Sequence, residues 1–176
     1  MNYFDLYEIP ISFNPSQDVI KQKFYALSKK YHPDFYINES QEKQEEILTL
    51  STLNNKAYQV LKDDQKRLHY ILALKGQLVE GENYSLPQSF LMEMMDINEA
   101  LMELGLETDS IKLADLTIQI YEIENSLTSN LNALTAAFDE TDEHDEAARD
   151  ASLKAIKDLY YRKKYLHRIK EGLGRF

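Results

Sequence analysis

The segment Lys29-Lys30-Tyr31-His32-Pro33-Asp34 sets an imidazole and a carboxylate on either side of a proline, and a basic helix face expected from Lys21, Lys29 and Lys30 leads directly into it. Residues of these types suit recognition of a partner surface, because Pro33 fixes the backbone where a helix must end. Taken alone, the tripeptide also reads as a helix stop with a local His/Asp hydrogen bond. A second group, Leu91, Met92, Met95 and Met102, is interleaved with Asp96, Glu99 and Glu103. Soft, adaptable side chains among carboxylates suit transient binding, and equally suit a widened helical core. A third group sets Tyr160, Tyr161 and Tyr165 among Arg162, Lys163, Lys164 and Arg168. It superficially suggests stacking on RNA, but a helix laying basic side chains over an acidic bundle is the favoured reading. His69, His144 and His167 share no metal-ligand spacing, and the acidic turn from Asp139 to Glu146 lacks the glycine of a calcium loop. No Gly-rich phosphate loop, nucleophile elbow or specified carboxylate pair is present. The expectation is a protein that binds without catalysing: no enzyme, no cofactor, no metal.

Composition narrows the classes further. The 176 residues carry 30 acids against 20 bases, a net charge of −10, with 43% hydrophobic residues, as in globular chains. There is no cysteine, which excludes disulfides, thiolate metal sites and a cysteine nucleophile. The charge is uneven: residues 1–153 hold 12 bases and 28 acids, residues 154–176 hold 8 bases and 2 acids. Such an acidic chain is a poor non-specific partner for nucleic acid. No run approaches the roughly 20 apolar residues that span a bilayer, and Met1-Asn2-Tyr3-Phe4-Asp5 lacks the features of a signal peptide. A cytoplasmic protein with no membrane partner is expected.

The elements that must position these groups are all helical, since nothing reads as strand. Asn14-Pro15-Ser16-Gln17 opens a helix with Asn14 as N-cap, and Val19, Ile20, Phe24, Leu27 and Tyr31 form its apolar face. It should stop near His32. After a polar stretch, a second helix is expected from about Glu39 to Lys62, carrying Ile47, Leu50, Leu53, Ala57, Tyr58 and Leu61. A third runs from Gln65 to Lys75 with Leu68, Ile71 and Leu72, and ends at Gly76. Residues 77–86 read as a linker between a unit of residues 1–76 and a unit of residues 87–176. In the latter, Phe90, Met94, Ile97, Leu101 and Leu104 stripe a helix from Pro87 to Leu104 closed by Gly105. Helices from Asp109 to about Phe138 and from about Asp145 to Gly172 complete a three-helix bundle.

The first unit resembles the J-domain of DnaJ-type co-chaperones. The resemblance rests on Phe4-Asp5-Leu6-Tyr7-Glu8-Ile9, the His-Pro-Asp tip between two antiparallel helices, and Leu53-Asn54-Asn55-Lys56-Ala57-Tyr58-Gln59-Val60-Leu61. It implies that His32, Pro33 and Asp34 stimulate ATP hydrolysis by a heat-shock chaperone of the DnaK or HscA type, with Lys29 at a position usually basic and Lys21 and Lys30 beside it. The Gly/Phe linker and Cys-rich repeats of generic DnaJ proteins are absent. Instead Phe90-Leu91-Met92-Glu93-Met94-Met95-Asp96-Ile97-Asn98-Glu99-Ala100-Leu101 resembles the segment opening the C-terminal bundle of HscB, the co-chaperone of iron–sulfur cluster assembly. This resemblance covers nearly the whole chain. It implies an L-shaped arrangement and a surface for the scaffold protein IscU made of Leu91, Met92, Met95, Asp96, Glu99 and Glu103, completed by Tyr161. Asp64 departs from the family, which usually has Pro there, with an expected effect only on turn rigidity. The missing N-terminal cysteine-pair extension of eukaryotic members points to a bacterial-type protein.

The implied function is a co-chaperone that binds an iron–sulfur scaffold and stimulates a DnaK/HscA-type ATPase. The alternatives are a J-domain protein serving a general DnaK chaperone with another client, and a helical interaction protein whose His-Pro-Asp is coincidental. Weak self-association through the two-sided Pro87 helix also stays open.

Overall fold

The computed structural model describes residues 1–176 as an all-α protein. Its chain divides into two compact units, Met1–Gly76 and Gln77–Phe176. In the first unit, α1 (Tyr3–Leu6), α2 (Gln17–Lys30), α3 (Gln41–Leu61) and α4 (Asp64–Leu74) surround one core, and a 3-10 turn, Pro33–Tyr36, bridges α2 and α3. Asn2 and Asp5 close a capping box on α1, which drives Phe4 and Tyr7 fully into the core.

The start of α2 differs from expectation. Ser16, not Asn14, is the N-cap, with its hydroxyl accepting from Val19 N at 3.4 Å. Asn14 instead belongs to a preceding turn in which its N–H donates to Ser12 Oγ at 3.0 Å, and Pro15 disfavours helical geometry before it. Val19 is also off the apolar face and 37% exposed, whereas Ile20 is fully buried. Adjacent helical residues point about 100° apart, so only one of the two can face the core.

Two buried polar side chains hold the unit together, and neither role is apparent from hydrophobic periodicity. Asn54 is 1% exposed. It accepts from the Tyr7 hydroxyl at 2.9 Å and donates through Nδ2 to Phe24 O at 3.1 Å and Ser28 Oγ at 3.0 Å. One amide thus joins the end of α1, α2 and α3. Burial pushes the Tyr7 phenol well above its ordinary pKa, so it remains a donor. Arg67 donates from Nε to Phe13 O at 2.9 Å, from Nη1 to Leu61 O at 2.7 Å and from Nη2 to Asp64 Oδ1 at 2.6 Å. Asp64 therefore does more than set turn rigidity: its carboxylate balances a guanidinium that is 6% exposed.

The second unit is a bundle of α5 (Gln88–Leu106), α6 (Ser110–Glu140) and α7 (Glu146–Leu173), each packed against the other two. Asp109 and Asp145 cap the starts of α6 and α7 with their carboxylates. Gly105 does not close α5. It stays helical, and the chain leaves the helix at Glu107, whose backbone is extended. The core is built from Phe90, Met94, Ile97 and Leu104 on α5, Leu116, Ile120, Leu127, Leu131 and Phe138 on α6, and Leu153, Ile156, Leu159, Leu166 and Ile169 on α7. No helix is long and apolar enough to cross a membrane.

The Asn54 amide carries a testable consequence. Asn54→Ala leaves the Tyr7 hydroxyl without its side-chain acceptor, and is expected to lower the stability of the first unit by about 1–3 kcal/mol. The same change at exposed Asn55 is expected to stay within about 0.5 kcal/mol. Urea denaturation followed by circular dichroism separates the two.

Candidate functional site

The His-Pro-Asp tip is built by the end of α2 and the start of α3. His32 takes extended backbone angles (φ −71°, ψ 122°), as the proline after it demands, and acts as N-cap of the 3-10 turn. The Asp34 N–H donates to His32 Nδ1 at 3.3 Å, which leaves the proton of a neutral imidazole on Nε2. At 3.7 Å the Asp34 carboxylate is too distant to hydrogen-bond that nitrogen. Both side chains are open to solvent, 53% and 83% exposed.

The turn is held from both sides. The Tyr36 hydroxyl donates to Lys30 O at 2.8 Å on α2, and the Gln44 amide on α3 donates to Ile37 O at 3.2 Å and Glu39 O at 2.9 Å. Lys21, Lys29 and Lys30 are all exposed but do not form one stripe. Lys29 sits near the middle of the solvent face, with Lys21 about 80° to one side and Lys30 about 100° to the other. Lys30 lies over the Tyr31 ring at 5.2 Å. Nothing at this tip cradles a phosphate or holds a nucleophile; it is a presented donor and carboxylate on a fixed turn.

The second surface lies on α5. Leu91 is half-buried, and Met92, Met95, Asp96, Glu99 and Glu103 are exposed. Together they span about 140° of the helix, on the side opposite the stripe of Phe90, Met94, Ile97, Leu101 and Leu104. Met92, Met95 and Met102 are 59%, 65% and 74% exposed, so they do not widen the core; Met94 is the fully buried one.

Tyr161 has partners of its own. Its ring stacks on Tyr84 at 4.6 Å, and its hydroxyl donates to Glu82 Oε2 at 3.3 Å. Lys157 donates to the other Glu82 oxygen at 2.7 Å, and the Tyr84 hydroxyl donates to Asp158 Oδ1 at 2.8 Å. Residues 82–84, which read as linker in the sequence, are thereby strapped along α7. Desolvation and the Asp158 carboxylate push the Tyr84 phenol up to about 12, and the hydrogen bond from Lys157 holds the Glu82 carboxyl below its usual range. No periodic signal marks this strap, because it depends on side chains more than seventy residues apart.

The other candidates are occupied with structure. Lys163 donates to Thr128 Oγ1, Lys170 to Glu124 and Arg162 to Asp158, while Arg168 lies over the Tyr165 ring. These cations and rings serve the bundle, as the favoured reading of that segment has it. In the acidic turn, Asp142 accepts from His144 N and Asp145 caps α7.

Comparison with known proteins decides the family. Residues 2–70 match the DnaJ domain, and residues 86–174 match the HSCB C-terminal oligomerisation domain. A co-chaperone protein HscB homolog from Shewanella amazonensis is 30% identical over 164 residues, covering 91% of this chain and 93% of that protein. The chain belongs to the HscB co-chaperone family. Co-chaperone protein HscB from Buchnera aphidicola is 39% identical over 102 residues, 57% of this chain and 59% of that one. Chaperone HscB from Vibrio cholerae superposes with a TM-score of 0.64 at 25% identity, covering 99% of this chain and 96% of that one. Human co-chaperone HscB shares the fold, with a TM-score of 0.70 at 24% identity and 99% and 81% coverage.

The opposed faces of α5 make a prediction that needs no partner. On titration with hydrogen peroxide, Met92, Met95 and Met102 are expected to become sulfoxides before Met94, read by peptide mass spectrometry. Oxidation of Met94 first would contradict its burial.

Proposed function

We propose that this chain is a co-chaperone that binds an IscU-type iron–sulfur scaffold protein and stimulates the ATPase of a DnaK/HscA-type chaperone, aiding iron–sulfur cluster assembly and transfer. The observation that carries the reading is the presence, in one HscB-family chain, of a solvent-facing His-Pro-Asp tip braced on both sides and an unpaired Leu/Met face set among carboxylates. His32, Pro33 and Asp34 act at the chaperone, and Lys21, Lys29 and Lys30 draw its acidic surface in. Their spread over half of α2 suits long-range steering better than a point-by-point match, and steering acts mainly on the rate of encounter.

Leu91, Met92, Met95, Asp96, Glu99 and Glu103 receive the scaffold, whose cluster is cargo and not a cofactor of this chain. Tyr161 joins them from α7, held in place by Tyr84 and Glu82. A scaffold bound on one unit while the tip engages the chaperone is presented at high effective concentration, typically millimolar for short connections. The co-chaperone performs no covalent step and works in the cytoplasm with these partners.

Two measurements test the reading. His32→Gln is expected to return the chaperone's steady-state ATPase to its basal rate, while the wild type stimulates it and stimulates further when scaffold is added. Stimulation indifferent to scaffold would move the client elsewhere and favour a general J-domain role. Met92→Ser with Met95→Ser is expected to weaken scaffold binding by about 1–3 kcal/mol in calorimetry. Unchanged affinity would reject the α5 surface.

A further inference from the structure

Beside the His-Pro-Asp tip lies apolar surface that folding does not use. Phe35 and Ile37 are 68% and 70% exposed, while Tyr36 between them turns back to donate to Lys30 O. The contacts that hold the turn are made by the Tyr36 hydroxyl and by the Gln44 amide on the Ile37 and Glu39 carbonyls. They need a turn here; they do not need a phenylalanine or an isoleucine.

A third side chain extends the surface. Leu48 is 59% exposed and lies one helical turn beyond Gln44, on the α3 face whose amide reaches the Ile37 carbonyl. Single exposed apolar residues are ordinary, but here two sit on the turn that carries the tip and a third on the helix face that holds that turn, and none of the three is needed to hold it. The Phe35 and His32 rings are 5.6 Å apart, centroid to centroid. A protein that closes on the His32 imidazole therefore covers Phe35 as well.

We infer that Phe35, Ile37 and Leu48 form an apolar docking patch continuous with the His-Pro-Asp tip, and that it seats in an apolar depression on the ATPase chaperone. The inference rests on the proposed function and deepens it by adding what discriminates between chaperones. Attraction through Lys21, Lys29 and Lys30 is screened over about 8 Å at physiological salt and serves encounter. Apolar burial is not screened, so it governs how long the complex lasts. A chaperone with the same acidic surface but no matching depression would meet the tip and leave.

The test titrates the chaperone's ATPase with full-length protein at low and high salt. Phe35→Ser with Ile37→Ser is expected to raise the half-saturating concentration about tenfold, most clearly at high salt, with the plateau still reached at excess. His32→Gln removes the plateau itself. Circular dichroism melting of the double variant is expected to match the wild type, since both side chains are exposed, and Leu48→Ser repeats the effect in smaller measure from a different element. An unchanged titration for the double variant, with His32→Gln still inactive, overturns the patch and leaves the proposed function standing. Wild-type protein that fails to stimulate, or a His32→Gln variant that still does, overturns the proposed function itself. A concentration-dependent dimer in light scattering that the double variant abolishes would assign the patch to a second copy, and also overturns the inference.

Discussion

A single buried amide fixes the geometry on which the tip depends. Asn54 sits where α1, α2 and α3 meet and satisfies three groups at once: the Tyr7 hydroxyl, the Phe24 carbonyl and the Ser28 hydroxyl. A buried polar group without partners costs about 1–3 kcal/mol, whereas apolar packing tolerates small slides. Moving α3 along α2 by one residue would break all three bonds together. The register of the hairpin is therefore specified by hydrogen bonding more sharply than by the aliphatic core around it. The tip at the far end of the hairpin inherits that register.

The tip itself is then a matter of short-range constraint. Pro33 forbids continuation of α2, His32 caps the turn that follows, and Ser40 starts α3. Tyr36 and Gln44 tie the loop to both helices, which leaves the side chains of Asp34, Phe35 and Ile37 exposed, while the His32 ring caps the turn through Nδ1 and is itself half-exposed. That division separates holding from presenting, and it is what allows an exposed loop to keep a defined shape.

The bundle solves the same problem with a helix that has two apolar faces. On α5 one face is consumed by packing against α6 and α7, and the other remains in solvent among carboxylates. The negative charge of α5 and α6 is offset by α7, whose Lys163, Lys170 and Arg162 reach back onto neighbouring polar groups. The Glu82–Tyr84 strap adds a further layer over α7 and holds Tyr161 in one orientation. Each unit thus has its own core and an exposed apolar surface that its packing does not use.

Much of this is legible in the sequence itself. Helix spacing located the long helices to within a few residues, Pro33 located the tip, and the stripe from Phe90 to Leu104, Met94 included, marked the buried face of α5, whereas only the fold decided that Met92, Met95 and Met102 stay out of the core. These features depend on neighbours within a turn or two, which is the range over which a sequence speaks directly. The choice of Ser16 over Asn14 as cap, the exposure of Val19 and the continuation of α5 through Gly105 were decided by local competition that periodicity does not resolve. The roles of Asn54, Arg67 and Asp64, and the strap on Tyr161, emerged only from the tertiary structure. Asn54, Arg67 and the strap meet partners some thirty to eighty residues away, and the Asp64 carboxylate acquires its task only because the fold buries the guanidinium beside it. The sequence determined which side chains were available; burial decided which of them had to find partners within the fold and which were left exposed.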